Sequence, residues 1–179
     1  MRRCESLLLC AILACGLGLR LIEICQPVLD AWGWREADVA MIAENFYRYG
    51  FHIFYPQVNW AGNAPGYVGT EFPLVPFLAA CLYSVFGVQD WIGRSISVLF
   101  YAVSLLFLYF LARKVSNVRS AFPAAAIYIL PPLSIFAGCA FMHDMATLSL
   151  SIMALIHGSL RGDPSAFGRG PCGDGCPTC

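Results

Sequence analysis

Charge is what this chain has least of. Asp, Glu, Lys and Arg make up only 12% of its residues, about half the roughly 25% usual in globular domains. No run of Lys or Arg is longer than two residues, which argues against a nucleic-acid partner, since that needs a basic stripe or patch. A disulfide framework is also missing. Of nine cysteines, Cys4, Cys10, Cys15, Cys25, Cys81 and Cys139 lie in or beside apolar runs, where Cys behaves as a small hydrophobe. Cys172, Cys176 and Cys179 close the chain. No spacing recurs, so no redox compartment can be read from them. The last three match the spacing of some iron–sulfur ligands, but such a cluster needs a surrounding fold, and these thiols sit on a Gly- and Pro-rich stretch.

What is abundant is apolar sequence, 59% of the chain, and that predicts an integral membrane protein. Arg2-Arg3 and the apolar run after them resemble the start of a signal peptide. The run continues past the usual length with no small-residue cleavage site, so a retained first span over about residues 5–25 is predicted. Arg20 and Glu23 are expected near the outer interface, their side chains reaching for water. Trp32 and Trp34 suit the membrane–water boundary. Residues 35–49 read as an amphipathic interfacial helix with Val39, Ile42, Ala43 and Phe46 on one stripe, Glu36, Glu44 and Arg48 polar, and Gly50 as the stop. Residues 51–71 read as loop.

Residues 72–87 are apolar but span only about 24 Å as a helix, against a hydrocarbon core of about 30 Å. Residues 93–112 are long enough to cross. Residues 121–142 cross with a kink at Pro131-Pro132. His143-Asp144 interrupts, and 145–160 make a last span. Charge decides the place of 72–87. If that segment stays at the surface, Arg2, Arg3, Arg113, Lys114, Arg119, Arg161 and Arg169 are cytoplasmic. The outer face then holds Asp30, Glu36, Asp38, Glu44, Glu71, Asp90 and Asp144. If it crosses, this positive-inside bias collapses. The predicted fold class is therefore an all-α integral membrane protein of about four transmembrane helices. Its large first extracytoplasmic loop, 27–92, carries juxtamembrane helices. Residues 161–179 change character abruptly and are predicted to be a disordered or aberrant tail.

The polar stretch from Trp32 to Pro73 gathers carboxylates beside a membrane face. A transferase acting on a lipid-borne substrate needs one carboxylate to take a proton from an acceptor hydroxyl. It needs another, or a metal that carboxylate holds, to stabilise a departing phosphate. By spacing alone, acids that merely solvate an outer loop are the commoner explanation. Arg35 and Arg94 could meet a lipid phosphate; the plain alternative is pairing with Glu36 or Asp90. His143 could bind metal, though a lone His at an interface is more often just hydrogen-bonded. Arg161-Gly162-Asp163 spells an adhesion tripeptide, but it is expected inside.

Several short motifs fall in a known order: Trp34-Arg35-Glu36-Ala37-Asp38, Ala43-Glu44-Asn45-Phe46-Tyr47, Tyr55-Pro56, Trp60-Ala61-Gly62, Glu71-Phe72-Pro73-Leu74-Val75-Pro76, Phe86-Gly87 and Gly93-Arg94-Ser95-Ile96-Ser97. Together, over about residues 5–160, the chain resembles the N-terminal part of the polytopic GT-C glycosyltransferases. The bacterial protein-mannosyltransferase and aminoarabinose-transferase superfamily is the nearest match. The resemblance implies a sugar taken from a polyprenyl-phosphate carrier on the extracytoplasmic side of a bacterial inner membrane and passed to a lipid, glycan or protein acceptor. The protein is expected to be multi-pass, with its N-terminus cytoplasmic. The resemblance also implies Asp38 as a base or metal neighbour, Glu71 as a ligand to a divalent metal ion, and Asp144 as a second outer acid. His143 stands where the pattern usually has Pro. Relatives carry many more spans, so a truncated or frameshifted product is expected, residues 1–160 being the domain's N-terminal part. A non-catalytic small membrane protein, acting as scaffold or partner, is the alternative; a transporter fragment is a third, with no intramembrane charge pathway to support it.

Overall fold

The computed structural model describes residues 2–21, 33–62, 66–69 and 71–160. Among these, every regular element is helical: α1 (Arg2–Leu21), α2 (Gly33–Tyr49), α3 (Leu74–Phe86), α4 (Asp90–Val115), α5 (Val118–Ile129), α6 (Pro132–Cys139) and α7 (Asp144–Leu160). Between α2 and α3 lie one turn of 3₁₀ helix at Asn59–Ala61 and an isolated bridge between Gln57 and Tyr67. Glu23 and the tail 161–179 lie outside the described residues.

α4 is the hub, packed against α1, α3, α5, α6 and α7, while α2 lies chiefly on α3. The α2 stripe does what its spacing dictates: Val39, Ile42, Ala43 and Phe46 are all buried. Val39 and Ala43 join Val75, Ala79 and Tyr83 of α3 and Ile92 and Ile96 of α4 in one apolar cluster. Phe141 and Ala146 complete it from the far side. Gly50 ends α2 at φ 115 with its N–H on Phe46 O, a backbone state that costs a residue with a Cβ.

At Pro131-Pro132 the sequence reading expected a kink within one span. α5 and α6 are instead separate helices bent by 71°. Two consecutive prolines remove two N–H donors and disfavour helical geometry in the residue before each, so the helix stops and restarts with Pro132 at its first turn.

Two charged residues sit deeper than expected. Arg20 is 0% exposed. It donates to Gly16 O at 2.9 Å and to Ser134 O at 2.7 Å, with its guanidinium over the Tyr101 ring. The carbonyls and the ring face replace the water it was expected to seek. Glu36, expected on the polar side of α2, is 1% exposed.

By length and composition, α4 is the one described helix that can cross a membrane by itself; the bent α5–α6 pair makes a second if taken as one span. Shorter apolar helices cover Leu7–Leu21 and Leu74–Phe86. Of the four expected spans, 93–112 falls on α4, 121–142 on the bent pair, 5–25 on a shorter apolar helix, and 145–160 on α7, which has 17 residues.

Candidate functional site

Three pieces of chain converge at one end of the bundle: the first turns of α2, the Glu71-Phe72-Pro73 approach to α3, and residues 140–143 leading into α7. Glu36 joins two of them from within. Its Oε2 lies 3.4 Å from Arg94 Nη2 of α4, and its Oε1 accepts the Phe141 N–H at 2.9 Å. Arg94 is 2% exposed. Of the two roles open to Arg94 in the sequence, phosphate contact or an internal ion pair, the geometry shows the pair with Glu36. Phe141 seats its ring against Gly93, where a Cβ would come within 2.4 Å of it. The linker that delivers His143 and Asp144 is thus held at Phe141 by charge, hydrogen bond and packing together.

Glu71 forms the surface counterpart. Arg35 Nη2 lies 3.2 Å from its Oε1, and His143 Nδ1 lies 2.9 Å from its Oε2. At that distance from a carboxylate, Nδ1 carries the proton, so in the neutral ring Nε2 is an acceptor. Nε2 is buried and has no hydrogen-bond partner among the described residues. Burial holds the His143 pKa below its ordinary value, against the opposing pull of Glu71 and Asp144.

A groove of about 890 Å³ opens beside this cluster. Glu71, His143 and Asp144 line one part of it, and Leu74, Val75, Ala146, Leu148 and Ala154 line much of the rest. Asp144 opens α7 and is exposed. Asp38 is not among the lining residues. It stands three residues after Arg35, on the neighbouring side of α2, partly buried, and burial raises its pKa. The structure therefore brings Glu71, His143 and Asp144 to the groove, sets Arg35 on Glu71 outside the lining, leaves Asp38 elsewhere on α2, and takes Arg94 inside.

The residues around Glu71 do not fit a divalent ion. Both its oxygens already face a donor, one of them a permanent cation. Among the described residues no group of three His, Cys, Asp or Glu side chains stands close enough to hold a metal.

Glu36 was missed as a site residue, although its signal was present: positions 36, 39, 43 and 46 share one face of a helix, so Glu36 extends the buried stripe. Of the two roles weighed for His143, metal ligand or simple hydrogen bonding, the geometry shows the hydrogen bond, although nothing local in the sequence points it at Glu71.

The sequence pattern of the dolichyl-phosphate-mannose-protein mannosyltransferase family matches residues 69–161. No curated protein and no solved structure matches the chain. The matched stretch begins just before Glu71 and runs through α3 to the end of α7, so it contains Arg94, His143 and Asp144, while Arg35, Glu36 and Asp38 precede it. It takes in just over half of the 179 residues, and the chain belongs to the dolichyl-phosphate-mannose-protein mannosyltransferase family.

Proposed function

We propose that this chain is part of a membrane glycosyltransferase that takes a sugar from a polyprenyl-phosphate donor and passes it to a lipid, glycan or protein acceptor on the extracytoplasmic side. Family membership supports glycosyl transfer in general. The observation that carries the finer reading is the groove, whose wall is polar at Glu71, His143 and Asp144 and apolar along α3 and α7. A substrate with a charged phosphosugar head and a hydrocarbon tail has the same division.

In this reading a carboxylate takes the proton of the acceptor hydroxyl as the sugar's anomeric carbon leaves the phosphate. Asp144 stands at the groove. Asp38 stands on α2 outside the groove lining, and burial raises its pKa, a shift in the direction that suits a general base. Arg35 is the surface guanidinium that can meet the phosphate. Arg94, tied to Glu36, supports the outer loop. We also infer four spans, with α3 lying at the outer surface of a bacterial inner membrane and the N-terminus cytoplasmic.

The test is sugar transfer in proteoliposomes from radiolabelled polyprenyl-phosphate sugars. Asp144→Asn and Asp38→Asn are each expected to lower the rate by about 10²–10⁴, the usual worth of a general base. Full activity in both would sink the assignment. Tight binding of polyprenyl phosphate with no transfer from any donor would favour a non-catalytic partner instead.

A further inference from the structure

The resemblance to GT-C enzymes makes Glu71 a metal ligand, and its surroundings do not. We propose that Glu71 is a two-armed clamp instead. In this role its carboxylate holds Arg35 on one oxygen and His143 on the other, and His143 is the positioning residue that fixes the start of α7 at the groove. The proposal rests on the transferase reading of that groove.

The clamp joins three segments that are distant in sequence. Arg35 lies in the first turn of α2, Glu71 just ahead of α3, and His143 immediately before α7. Its contribution to stability is small, because Glu71 is 43% exposed and water screens ion pairs that are open to it. Its effect is on geometry. His143 uses its side chain on Glu71 and its carbonyl on the Thr147 N–H, at 2.9 Å, which is the first hydrogen bond of α7. The residue that meets Glu71 is therefore also the one from which α7 begins. Asp144, the next residue, takes its position at the groove from that joint. Phe141, two residues earlier, is pinned by Glu36. The linker is thus held on both sides of Met142, once from inside the protein and once from the surface.

A metal at Glu71 would have to displace the His143 N–H from one oxygen or approach the Arg35 guanidinium at the other. The guanidinium supplies positive charge beside the groove without an ion, in a planar form that suits phosphate.

The clamp needs a donor at the position of Nδ1 and nothing at Nε2. An Asn amide nitrogen stands the same number of bonds from Cα as His Nδ1, whereas a Gln amide nitrogen stands where Nε2 is. His143→Ala should speed hydrogen exchange at the Thr147 amide about fivefold, the worth of one ordinary hydrogen bond. His143→Asn should restore it and His143→Gln should not. Asn also caps helices by itself, so the set is repeated on Glu71→Ala, where the Asn rescue should vanish. Rescue by Gln instead of Asn, or an Asn rescue that survives Glu71→Ala, overturns the clamp. Independently, equilibrium dialysis of the purified protein with Mn²⁺ should give the same binding before and after Glu71→Gln. Stoichiometric Mn²⁺ lost with that substitution would restore the metal ligand and overturn the proposal. Neither readout needs catalysis. If no sugar is transferred while exchange follows Asn and not Gln, the transferase reading fails and the clamp stands. If transfer occurs, His143→Ala should lower kcat and leave the donor KM near wild type, and Asn should recover it.

Discussion

Asp38 shows how a single carboxyl can oppose the fold that holds it. It lies on the partly buried side of α2, and burial raises its pKa above the ordinary 3.8. Just above pH 3.8 the folded chain keeps a proton that the unfolded chain has lost. Stability therefore favours the folded form at low pH and declines as pH rises through the folded pKa. At neutral pH the ionised carboxylate is the unfavourable form. Asp38→Asn, which keeps the shape and removes the charge, should melt at the same temperature as wild type or higher at pH 7, the gap closing as pH falls towards 3.8. Thermal unfolding in detergent at several pH values measures this. An Asn variant clearly less stable at pH 7 would mean that the carboxylate has a favourable partner. A residue that gains stability on losing its charge and loses transfer with it would show the cost a site residue imposes on its scaffold. Glu36, two positions earlier, is the contrasting case: just as acidic in the sequence, but matched inside by Arg94 and the Phe141 N–H.

Helices were legible because apolar spacing is local. α2 was expected over 35–49 and forms over Gly33–Tyr49, and α7 starts within one residue of its expected place. The break before α6 was expected as a kink because sequence gives the presence of two prolines but not the angle at which the next helix finds a neighbour. Apart from the Arg94–Glu36 pair, which the sequence offered as an alternative, the contacts that build the site were not legible. Glu71 meets His143 and Glu36 meets Phe141 across long stretches of chain, and no periodicity encodes which loop residues face each other. Small residues mark where elements come close, as Gly93 of α4 does under Phe141. A Cβ there would lie 2.4 Å from a ring that is 2% exposed and has no room to retreat. Gly93→Ala should therefore cost about 1–3 kcal/mol, the range for overpacking a filled core, although Ala is the better helix former by roughly 1 kcal/mol. A loss of melting temperature confirms the packing argument, and a gain, which propensity alone predicts, would overturn it.

At the scale of the whole molecule, the place of α3 decides the place of everything after it. With 13 residues it is about 20 Å long, short of a hydrocarbon core of about 30 Å. Its buried face, including Val75, Ala79 and Tyr83, is used against α2 and α4, so it has the packing of a helix lying against the bundle. If α3 stays outside, α4 carries the chain inward and ends in Arg113 and Lys114 at its last turn, cations on the side where they are normally retained. If α3 crosses, the same residues must lie outside with Arg119. The two arrangements differ at the α4–α5 turn. A chain stripped of its native cysteines and given Asn117→Cys should resist a membrane-impermeant maleimide in intact cells and react once the membrane is opened. Asn59→Cys, in the α2–α3 loop, should react in both conditions, since with the proposed cytoplasmic N-terminus that loop is outside in either arrangement. Labelling at position 117 in intact cells would place α3 through the membrane. It would also carry Asp144 and the head of α7 to the opposite side from the α2–α3 loop, which cannot be reconciled with a Glu71–His143 contact of 2.9 Å. The labelling pattern therefore tests the contact as well as the topology.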